Sequence, residues 1–311
     1  MKLGKITVAG PLMLAPIAGF TDSPYRRIAR RHGAGLVVTE LTSAEGIVRS
    51  NRKTMDILKF HNEERPVAIQ IFGNNPDIMA EAAAAVEELG PDLIDINMGC
   101  PARRVCASGS GAALLSDPKK IFEITSSMVK RVDIPISAKI RIGWDQNALY
   151  YRDTVRALQD GGISLIFVHG RTRAQQYAGA ADWDAIREIV KISTVPIVGN
   201  GDIRTYDGAQ ERMRYSGCSA VMIGRGAIGN PWIFRGNRPS LDGVIGGIKE
   251  HLDLMIERYG ERGIVLMRKH FVRYIHEFKR AKHIRKELVE STSRDEIHKI
   301  LDTIVQCIEY Q

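Results

Sequence analysis

Residues 136–169 read ISAKIRIGWDQNALYYRDTVRALQDGGISLIFVH, and this stretch decides the fold class. It begins with the apolar run Ile136 to Ile142 and ends with a second run, Leu165 to His169, and both are typical of short buried strands. The segment Tyr151 to Gln159 between them has helical character. A strand, a helix and a second strand in this order predict parallel strands joined by a crossover helix, which is the unit of an α/β protein.

The same alternation continues through the first three quarters of the chain and gives eight predicted strands. Eight strands favour a (β/α)8 TIM barrel, whereas a doubly wound sheet usually has about five or six strands and a glycine loop after the first of them. Here the first strand is followed by Ala15-Pro16-Ile17-Ala18-Gly19 instead. The predicted strands are Leu12 to Ala15, Leu36 to Thr39, Val67 to Phe72, Leu93 to Asn97, Ile136 to Ile142, Leu165 to His169, Val195 to Gly199 and Ala220 to Ile223.

The alternation stops near residue 238. Apolar residues of the tail recur at helical spacing, which predicts a small bundle of helices. We therefore predict a catalytic barrel at 1–238 and a C-terminal all-helical domain at 239–311. The predicted apolar faces comprise Ile245, Ile248, Leu252, Met255, Ile256 and Tyr259, then Ile264, Met267, Phe271, Ile275 and Phe278, and finally Ile297, Ile300, Leu301, Ile304 and Ile308.

Composition limits the function classes. Hydrophobic residues make up 44% and charged residues 26% of the 311 positions, which excludes collagen-like and wholly disordered chains. A net charge of +8 favours an anionic partner. Four cysteines without a C-x-x-C pair indicate neither a disulfide framework nor a zinc module, so we expect a reducing cytoplasm and no metal. The uncharged run Ala9 to Phe20 is interrupted by prolines and is shorter than the ~20 residues of a membrane span, so no membrane is expected.

Glycines follow the last predicted strand in Gly224-Arg225-Gly226-Ala227-Ile228-Gly229, which satisfies the pattern G-x-G-x-x-G. A dinucleotide fingerprint would open a βαβ unit, but this segment runs into Pro231 and the helical tail. Barrels commonly bind phosphate in the loops after strands 7 and 8, and the seventh predicted strand ends in Gly199-Asn200-Gly201-Asp202. The pair of loops predicts a phosphate site, with a merely tight turn as the alternative.

Cys100 follows the fourth predicted strand in the segment Asn97-Met98-Gly99-Cys100-Pro101. A lone cysteine in a barrel is often a small buried apolar residue. The loop position and the nearby Arg103 and Arg104 favour a functional thiol instead. With an ordinary pKa of about 8.5, a thiol is mostly protonated at neutral pH and can act as a general acid.

Lys139 and Arg141 alternate along the fifth predicted strand, so both point to the barrel interior. Unpaired buried charge is unfavourable, so they need an anionic or polar ligand, or else internal salt bridges. So many polar groups at one barrel mouth indicate a functional site, because the packing of the barrel does not by itself require them. The converging residues are Gln70, Asn97, Cys100, Lys139, Arg141, His169, Arg171 and Asn200.

The segment Arg268 to Lys286 has eight basic residues against one acid, Glu277, with aromatic residues interleaved. This pattern is typical of a nucleic-acid surface, although a solvated helix face can also be basic. The residues Arg26 to Arg31 form a second basic cluster.

Taken together, these motifs resemble the tRNA-dihydrouridine synthase family, whose members are FMN-dependent barrels with a helical C-terminal domain. The resemblance covers nearly the whole chain, and eight segments in order are specific. They are LAPIAGFTDSPYR (14–26), AIQIFG (68–73), DLIDINMGCPARRV (92–105), GAALL (111–115), KIRIGW (139–144), VHGRTRAQQYAGAADW (168–183), VGNGDI (198–203) and VMIGRGAIGNPWIF (221–234).

The resemblance implies a cytoplasmic monomer that uses FMN, with NAD(P)H as reductant, to reduce uridines of tRNA. It implies that Cys100 is the catalytic acid and that Asn97, Arg141 and Arg171 bind the substrate. Two departures are Ile17, where Met is frequent, and Cys106, where Asn often follows the Val. The rival functions are a small-molecule reductase of the dihydroorotate dehydrogenase kind and a non-catalytic RNA-binding protein. The implied cofactor-binding residues are Pro16, Ile17, Ala18, Gln70, Lys139, His169, Asn200, Gly201, Asp202, Gly224 and Arg225.

Overall fold

A closed barrel of parallel strands forms the body of the protein, which is described by a computed structural model at residues 2–3, 6–276 and 281–308. Each of the eight predicted runs overlaps a strand of the barrel, which confirms the (β/α)8 barrel. The strands are β1 Lys2–Leu3, β2 Ile6–Thr7, β3 Leu12–Leu14, β4 Val37–Val38, β5 Thr42–Ser43, β6 Val67–Phe72, β7 Leu93–Met98, β8 Ile136–Gly143, β9 Leu165–Thr172, β10 Ile197–Asn200 and β11 Ala220–Ile223.

The barrel closes through β4, which pairs with β3 on one side and with β6 on the other. From β6 the pairing runs in chain order to β11, and β11 pairs with β3. The short β5 also pairs with β6, and β1 and β2 form an antiparallel hairpin before the barrel. The hairpin supplies Ile6 to an interior core that includes Met13, Phe167 and Met222. This apolar core fills part of the barrel.

Helices alternate with the strands through the barrel, and α10 (Leu241–Tyr259) to α13 (Arg294–Ile308) then form the tail. Asp22, Asn75, Asp117 and Asp182 cap the first turns of four barrel helices, because each side chain accepts a hydrogen bond from a backbone amide two or three residues later. The helices are α1 Ser23–Arg31, α2 Ala44–Val48, α3 Arg52–Leu58, α4 Pro76–Glu87, α5 Arg103–Ala107, α6 Pro118–Arg131, α7 Tyr151–Asp160, α8 Trp183–Ile192, α9 Tyr206–Ser216, α10 Leu241–Tyr259, α11 Arg262–Tyr274, α12 Ala281–Glu290 and α13 Arg294–Ile308.

The tail has its own apolar core, to which α10, α11, α12 and α13 all contribute. Trp232, from the 3-10 helix Pro231–Phe234, also belongs to this core. The helical tail agrees with the predicted bundle, whereas the boundary at residue 238 stays a prediction. Phe278 of the predicted faces lies outside the described residues. Of the helices in the described ranges, none combines the length and apolarity that a membrane crossing requires.

Candidate functional site

The inward-facing residues change from apolar to polar along β6, β7, β9 and β10, and this change locates the site. On β9 the buried Phe167 is followed on the same face by His169 and then by Arg171. On β10, Val198 is followed by Asn200. Because parallel strands end at the same side of the sheet, the polar residues collect at the C-terminal mouth of the barrel, where TIM-barrel enzymes carry their active sites.

A buried polar chain crosses three neighbouring strands at this mouth. Gln70 Nε2 donates to Asp95 Oδ2 at 2.7 Å, and Asn97 Nδ2 donates to Gln70 Oε1 at 2.7 Å. Ser137 Oγ donates to Asp95 Oδ1 at 2.6 Å. Burial raises the pKa of Asp95 to about 6, although the hydrogen bonds from Ser137 and Gln70 lower it. This chain fixes the orientation of the Gln70 and Asn97 amides.

Asp95 was missing from the predicted site residues. The signal was present in the sequence, because Leu93, Asp95 and Asn97 alternate along β7 and therefore share one face. An acid in an otherwise apolar strand needs partners once it is buried, and Gln70 and Ser137 supply them.

The backbone around Cys100 is held from several sides. Asn97 Oδ1 accepts from the Cys100 amide at 2.9 Å, and Arg141 Nε donates to the Gly99 carbonyl at 2.8 Å. Cys106 Sγ donates to the Cys100 carbonyl at 3.4 Å, so this second thiol supports the loop. Cys100 is half-buried, and burial raises the pKa of its thiol above the usual value. The thiol therefore stays protonated at neutral pH.

Lys139 lies between the polar chain and the strand β10. Its Nζ donates to Asn200 Oδ1 at 3.2 Å, and Asn200 Nδ2 donates to the Met222 carbonyl at 2.7 Å. Burial, followed by the charge of Arg141, lowers the pKa of Lys139 to about 8. Burial and the neighbouring cations, Lys139 first among them, hold the pKa of His169 well below its usual range, so this ring is neutral.

Arg171 and Arg225 share the carboxylate of Asp202. Arg171 is buried and donates from Nη2 to both Asp202 oxygens, at 2.7 and 2.6 Å, while the exposed Arg225 donates at 3.2 Å. Ala181 adds a backbone amide at 2.8 Å. Desolvation raises the pKa of Asp202, but the hydrogen bonds from Arg171 and Ala181 outweigh it, and the net pKa is lowered. The carboxylate of Asp202 is thus engaged by two arginines and one backbone amide.

The two predicted phosphate loops have different neighbours. Gly201 has φ +138, and a Cβ there would stand 2.4 Å from the Cβ of Ala181, so both conformation and space require glycine. A Cβ on Gly224 would lie 3.5 Å from Ile17 Cδ1. Pro16 and Ile17 are half-buried and Ala18 is exposed. The structure therefore brings the Pro16 to Ala18 loop next to the glycine loop that follows β11.

Tyr177 is a second residue that the sequence prediction missed. It lies in the loop after β9, is 53% exposed, and its ring has the guanidinium carbons of Arg141 and Arg225 at 5.7 and 5.0 Å. The loop is held by hydrogen bonds from Arg171 to the Ala178 and Gly179 carbonyls. No local pattern marked Tyr177, because only the fold of this loop brings the ring over the mouth.

The two basic clusters differ from each other. In the first, Arg26 pairs with Glu64 at 2.6 Å and Arg27 with Glu257 at 3.0 Å, so these cations join α1 to its neighbours. In the segment Arg268 to Lys286, Arg273 and Lys282 are exposed. Lys279 and Arg280 of that segment lie outside the described residues. Among the described residues of the tail, Arg273 and Lys282 are therefore exposed to solvent, whereas Arg26 and Arg27 of the α1 cluster are engaged in ion pairs.

The amino-acid sequence is similar to those of known proteins over most of its length. The family model described as "Dihydrouridine synthase (Dus)" matches residues 13–309. A protein of Rhizobium leguminosarum bv. phaseoli described as "Probable tRNA-dihydrouridine synthase" is 42% identical over 278 residues, which cover 88% of this chain and 87% of the relative. The "tRNA-dihydrouridine synthase B" of Pseudomonas aeruginosa is 36% identical over 319 residues, which cover 99% of this chain and 93% of the relative.

Solved structures share the fold at low sequence identity. Histamine dehydrogenase from Rhizobium sp. 4-9 matches 82% of this chain with a TM-score of 0.57 and 15% identity. A 2-naphthoyl-CoA reductase matches 76% with a TM-score of 0.60 and 13% identity. This chain spans about half the length of each, 50% and 51% respectively, and at this level of identity the likeness shows the fold alone.

Proposed function

The chain belongs to the dihydrouridine synthase family, and we propose that it reduces specific uridines of tRNA to 5,6-dihydrouridine with FMN as cofactor and NAD(P)H as reductant. A protonated, half-buried thiol at Cys100, in a loop fixed beside a buried polar chain, carries the proposal. We place the reaction in the cytoplasm, since free thiols and tRNA coexist there. We also propose that the protein acts as a monomer.

The residues at the mouth suit a flavin mononucleotide. The ring needs polar partners on one edge, and the buried amides of Gln70 and Asn97 with the Lys139 ammonium offer them. The phosphate needs backbone amides and a cation, and Gly201, Asp202, Gly224 and the exposed Arg225 offer these. The half-buried Pro16 and Ile17 provide apolar contact beside Gly224.

Uracil is an α,β-unsaturated carbonyl compound, so its reduction needs a hydride at C6 and a proton at C5. When bound, FMN would supply this hydride, with NAD(P)H as its reductant. Cys100 donates the proton from Sγ to C5, and the raised pKa keeps that proton on the thiol until it is needed. Asn97 and Arg141 hold the Cys100 loop, so they position the acid.

The other polar residues bind and orient. Lys139 stabilises negative charge near the ring because its ammonium lies on the inner face of the barrel. His169 is neutral, and because its Nε2 accepts from Arg171 Nη1 at 3.2 Å, its Nδ1–H is left to donate a hydrogen bond to a uracil carbonyl. We propose that Arg171 binds the substrate at the same mouth. It also donates hydrogen bonds to the loop that carries Tyr177. That exposed ring offers a stacking surface for a base.

A tRNA substrate requires that the uridine leave its stack, at an expense of a few kcal/mol. Phosphate contacts offset this, and the exposed cations of the tail provide them. Phe20, in the loop that follows β3, connects the barrel mouth to the tail, because its ring centroid lies 5.6 Å from Nζ of Lys269 in α11.

Reconstitution tests the proposal. The purified protein, loaded with FMN and supplied with NADPH, should convert uridine to dihydrouridine in tRNA from a strain that lacks the enzyme, as measured by mass spectrometry of digested nucleosides. Free orotate and uracil serve as controls. Turnover of these small molecules without turnover of tRNA would favour the dihydroorotate dehydrogenase kind of reductase. A protein that binds RNA but cannot be loaded with flavin would favour a non-catalytic RNA binder.

A further inference from the structure

A second cluster of chemically reactive side chains lies away from the mouth, where the barrel meets the tail. Asp22 precedes α1, His251 lies in α10 and His270 lies in α11. All three are buried, and one ligand atom of each lies within 4.8 Å of the others. Three separate elements therefore bring one carboxylate and two imidazoles to a single point.

These imidazoles lack partners that their burial demands. Within the described parts of the chain, His251 Nε2 and both ring nitrogens of His270 make no hydrogen bond. A buried polar atom without a hydrogen-bond partner is unfavourable, so three such atoms at one point indicate a partner that is not part of the protein chain. The free nitrogens belong to the same side chains that converge with Asp22.

The surroundings restrict what that partner can be. The Tyr25 ring stacks on His270 with centroids 5.5 Å apart, and Phe20 meets His270 edge-on at 5.4 Å. These aromatic walls leave little polar surface for a cluster of waters, which needs 2–4 polar partners for each molecule. His251 Nδ1 lies 3.3 Å from the Tyr274 hydroxyl. A histidine that ligates through Nε2 usually has such a hydrogen bond at its other nitrogen.

We propose that Asp22, His251 and His270 bind a single Zn²⁺ ion at the junction of the barrel and the tail. Two imidazoles and one carboxylate form a ligand set that zinc prefers, with water or the second carboxylate oxygen in the fourth position. Zinc ligands lie about 2.0–2.2 Å from the ion, so the three side chains close on it by small rotations. The two positive charges of the ion also compensate the buried carboxylate of Asp22.

The proposed ion has a structural role. Asp22 lies in the turn that ends the Pro16 to Ala18 loop, whereas both histidines belong to the tail. Binding therefore links α1 to α10 and α11 and fixes the orientation of the tail relative to the barrel. Because the ligand set is complete only in the folded chain, the free energy of zinc binding adds to the free energy of unfolding.

Metal analysis of the whole protein tests this proposal. The probe is Zn²⁺ alone, added to the chelator-treated protein, followed by gel filtration and elemental analysis. We expect about one zinc per chain in the wild type and a loss of that zinc in His251→Gln and in His270→Gln. His32→Gln is the matched control, because both ring nitrogens of this half-buried histidine also lack a partner but it lies outside the cluster. It should bind zinc as the wild type does.

Thermal unfolding provides a second readout that does not depend on activity. Saturating zinc should raise the Tm of the wild type and of His32→Gln by a few degrees, and should leave the Tm of His270→Gln unchanged. All variants keep the four cysteines, so zinc held by thiols does not distinguish them. Equal zinc content and equal Tm shifts in the wild type and both cluster variants would overturn the proposal. A wild type that retains no zinc after gel filtration would also overturn it and favour a buried water.

Discussion

The barrel mouth and the exposed face of the tail are both rich in cations, but they hold them differently. At the mouth, Lys139 and Arg171 are inside the barrel and bonded to Asn200 and Asp202. On the tail, Arg273 and Lys282 face solvent. A cation held by fixed partners can recognise one small group at one place, whereas exposed cations offer a field that suits a long polyanion. The comparison predicts that mutations at the mouth affect chemistry and cofactor, and that mutations on the tail affect RNA affinity.

The largest expected effect is at Cys100. Cys100→Ala should lower kcat for uridine reduction by about 10²- to 10⁴-fold, because the proton donor is lost. Reduction of the bound flavin by NADPH and tRNA affinity should persist, as measured by stopped-flow absorbance and filter binding. Cys106→Ala is the control, since this thiol only donates to the Cys100 carbonyl. Full activity in Cys100→Ala with loss in Cys106→Ala would identify the other thiol as the acid.

The pH dependence of kcat sharpens the same point. A thiol donates a proton only while it is protonated, so kcat should fall as the pH rises through the pKa of Cys100. Burial raises this pKa, and the fall should therefore occur above the ordinary thiol pKa of about 8.5. A fall centred well below pH 8 would contradict this role for the thiol.

Lys139→Met should give the next largest effect. Loss of a hydrogen-bonding cation typically costs about 1.5–3 kcal/mol, so FMN affinity should fall by roughly 10- to 150-fold in a fluorescence titration. Because the pKa of Lys139 is about 8 in the free protein, wild-type affinity should weaken as the pH rises above that value, and the variant should lose this dependence. Lys119→Met, at a side chain 87% exposed, is the control. Unchanged affinity in Lys139→Met would remove this residue from the cofactor site.

Asp202→Asn should destabilise the fold by about 2 kcal/mol, because Arg171 is buried and loses its carboxylate. The lowered pKa of Asp202 means that its contribution is present at neutral pH and is lost as the pH falls through the folded-state pKa, below the usual carboxyl range of about 4. Chemical denaturation measures both effects. Asp160→Asn removes an exposed pair at 3.8 Å and should change stability by less than about 0.5 kcal/mol. Equal losses of unfolding free energy in the two variants would show that the Arg171–Asp202 pair contributes no more to stability than an exposed pair.

The smallest change in free energy is expected on the tail. Arg273→Glu combined with Lys282→Glu should lower the slope of log affinity against log salt by about one unit for each lost phosphate contact, with FMN content unchanged. Lys119→Glu combined with Arg156→Glu reverses the same number of exposed charges on α6 and α7 and should leave the slope near the wild-type value. Equal slopes in the two double variants would move the RNA site away from the tail.

The basic segment also contains Lys279 and Arg280, which lie outside the described residues. Reversal of Lys279, Arg280 and Lys282 to Glu should weaken tRNA binding further. A fall in flavin content in this variant would instead assign the segment a role in supporting the barrel.

Local patterns predicted the eight barrel strands because short runs rich in Val, Ile and Leu alternate with helical segments along the chain. The helices α2, α3 and α5 were not predicted, since five to seven residues show less than two turns of periodicity. The cluster from Arg26 to Arg31 illustrates a different limit. The sequence indicates only its charge, and the tertiary structure shows that Glu64 and Glu257 pair with it.

The amino-acid sequence by itself determined the barrel, the helical tail and the end of the barrel at which polar side chains meet, because these follow from periods of two and 3.6 residues along the chain. Only the tertiary structure decided which charges are paired and which are free. It also decided that Asp22, His251 and His270 meet and that Tyr177 lies over the mouth. The physical reason is that periodicity is a property of neighbouring residues, whereas partners and desolvation depend on which distant segments pack together.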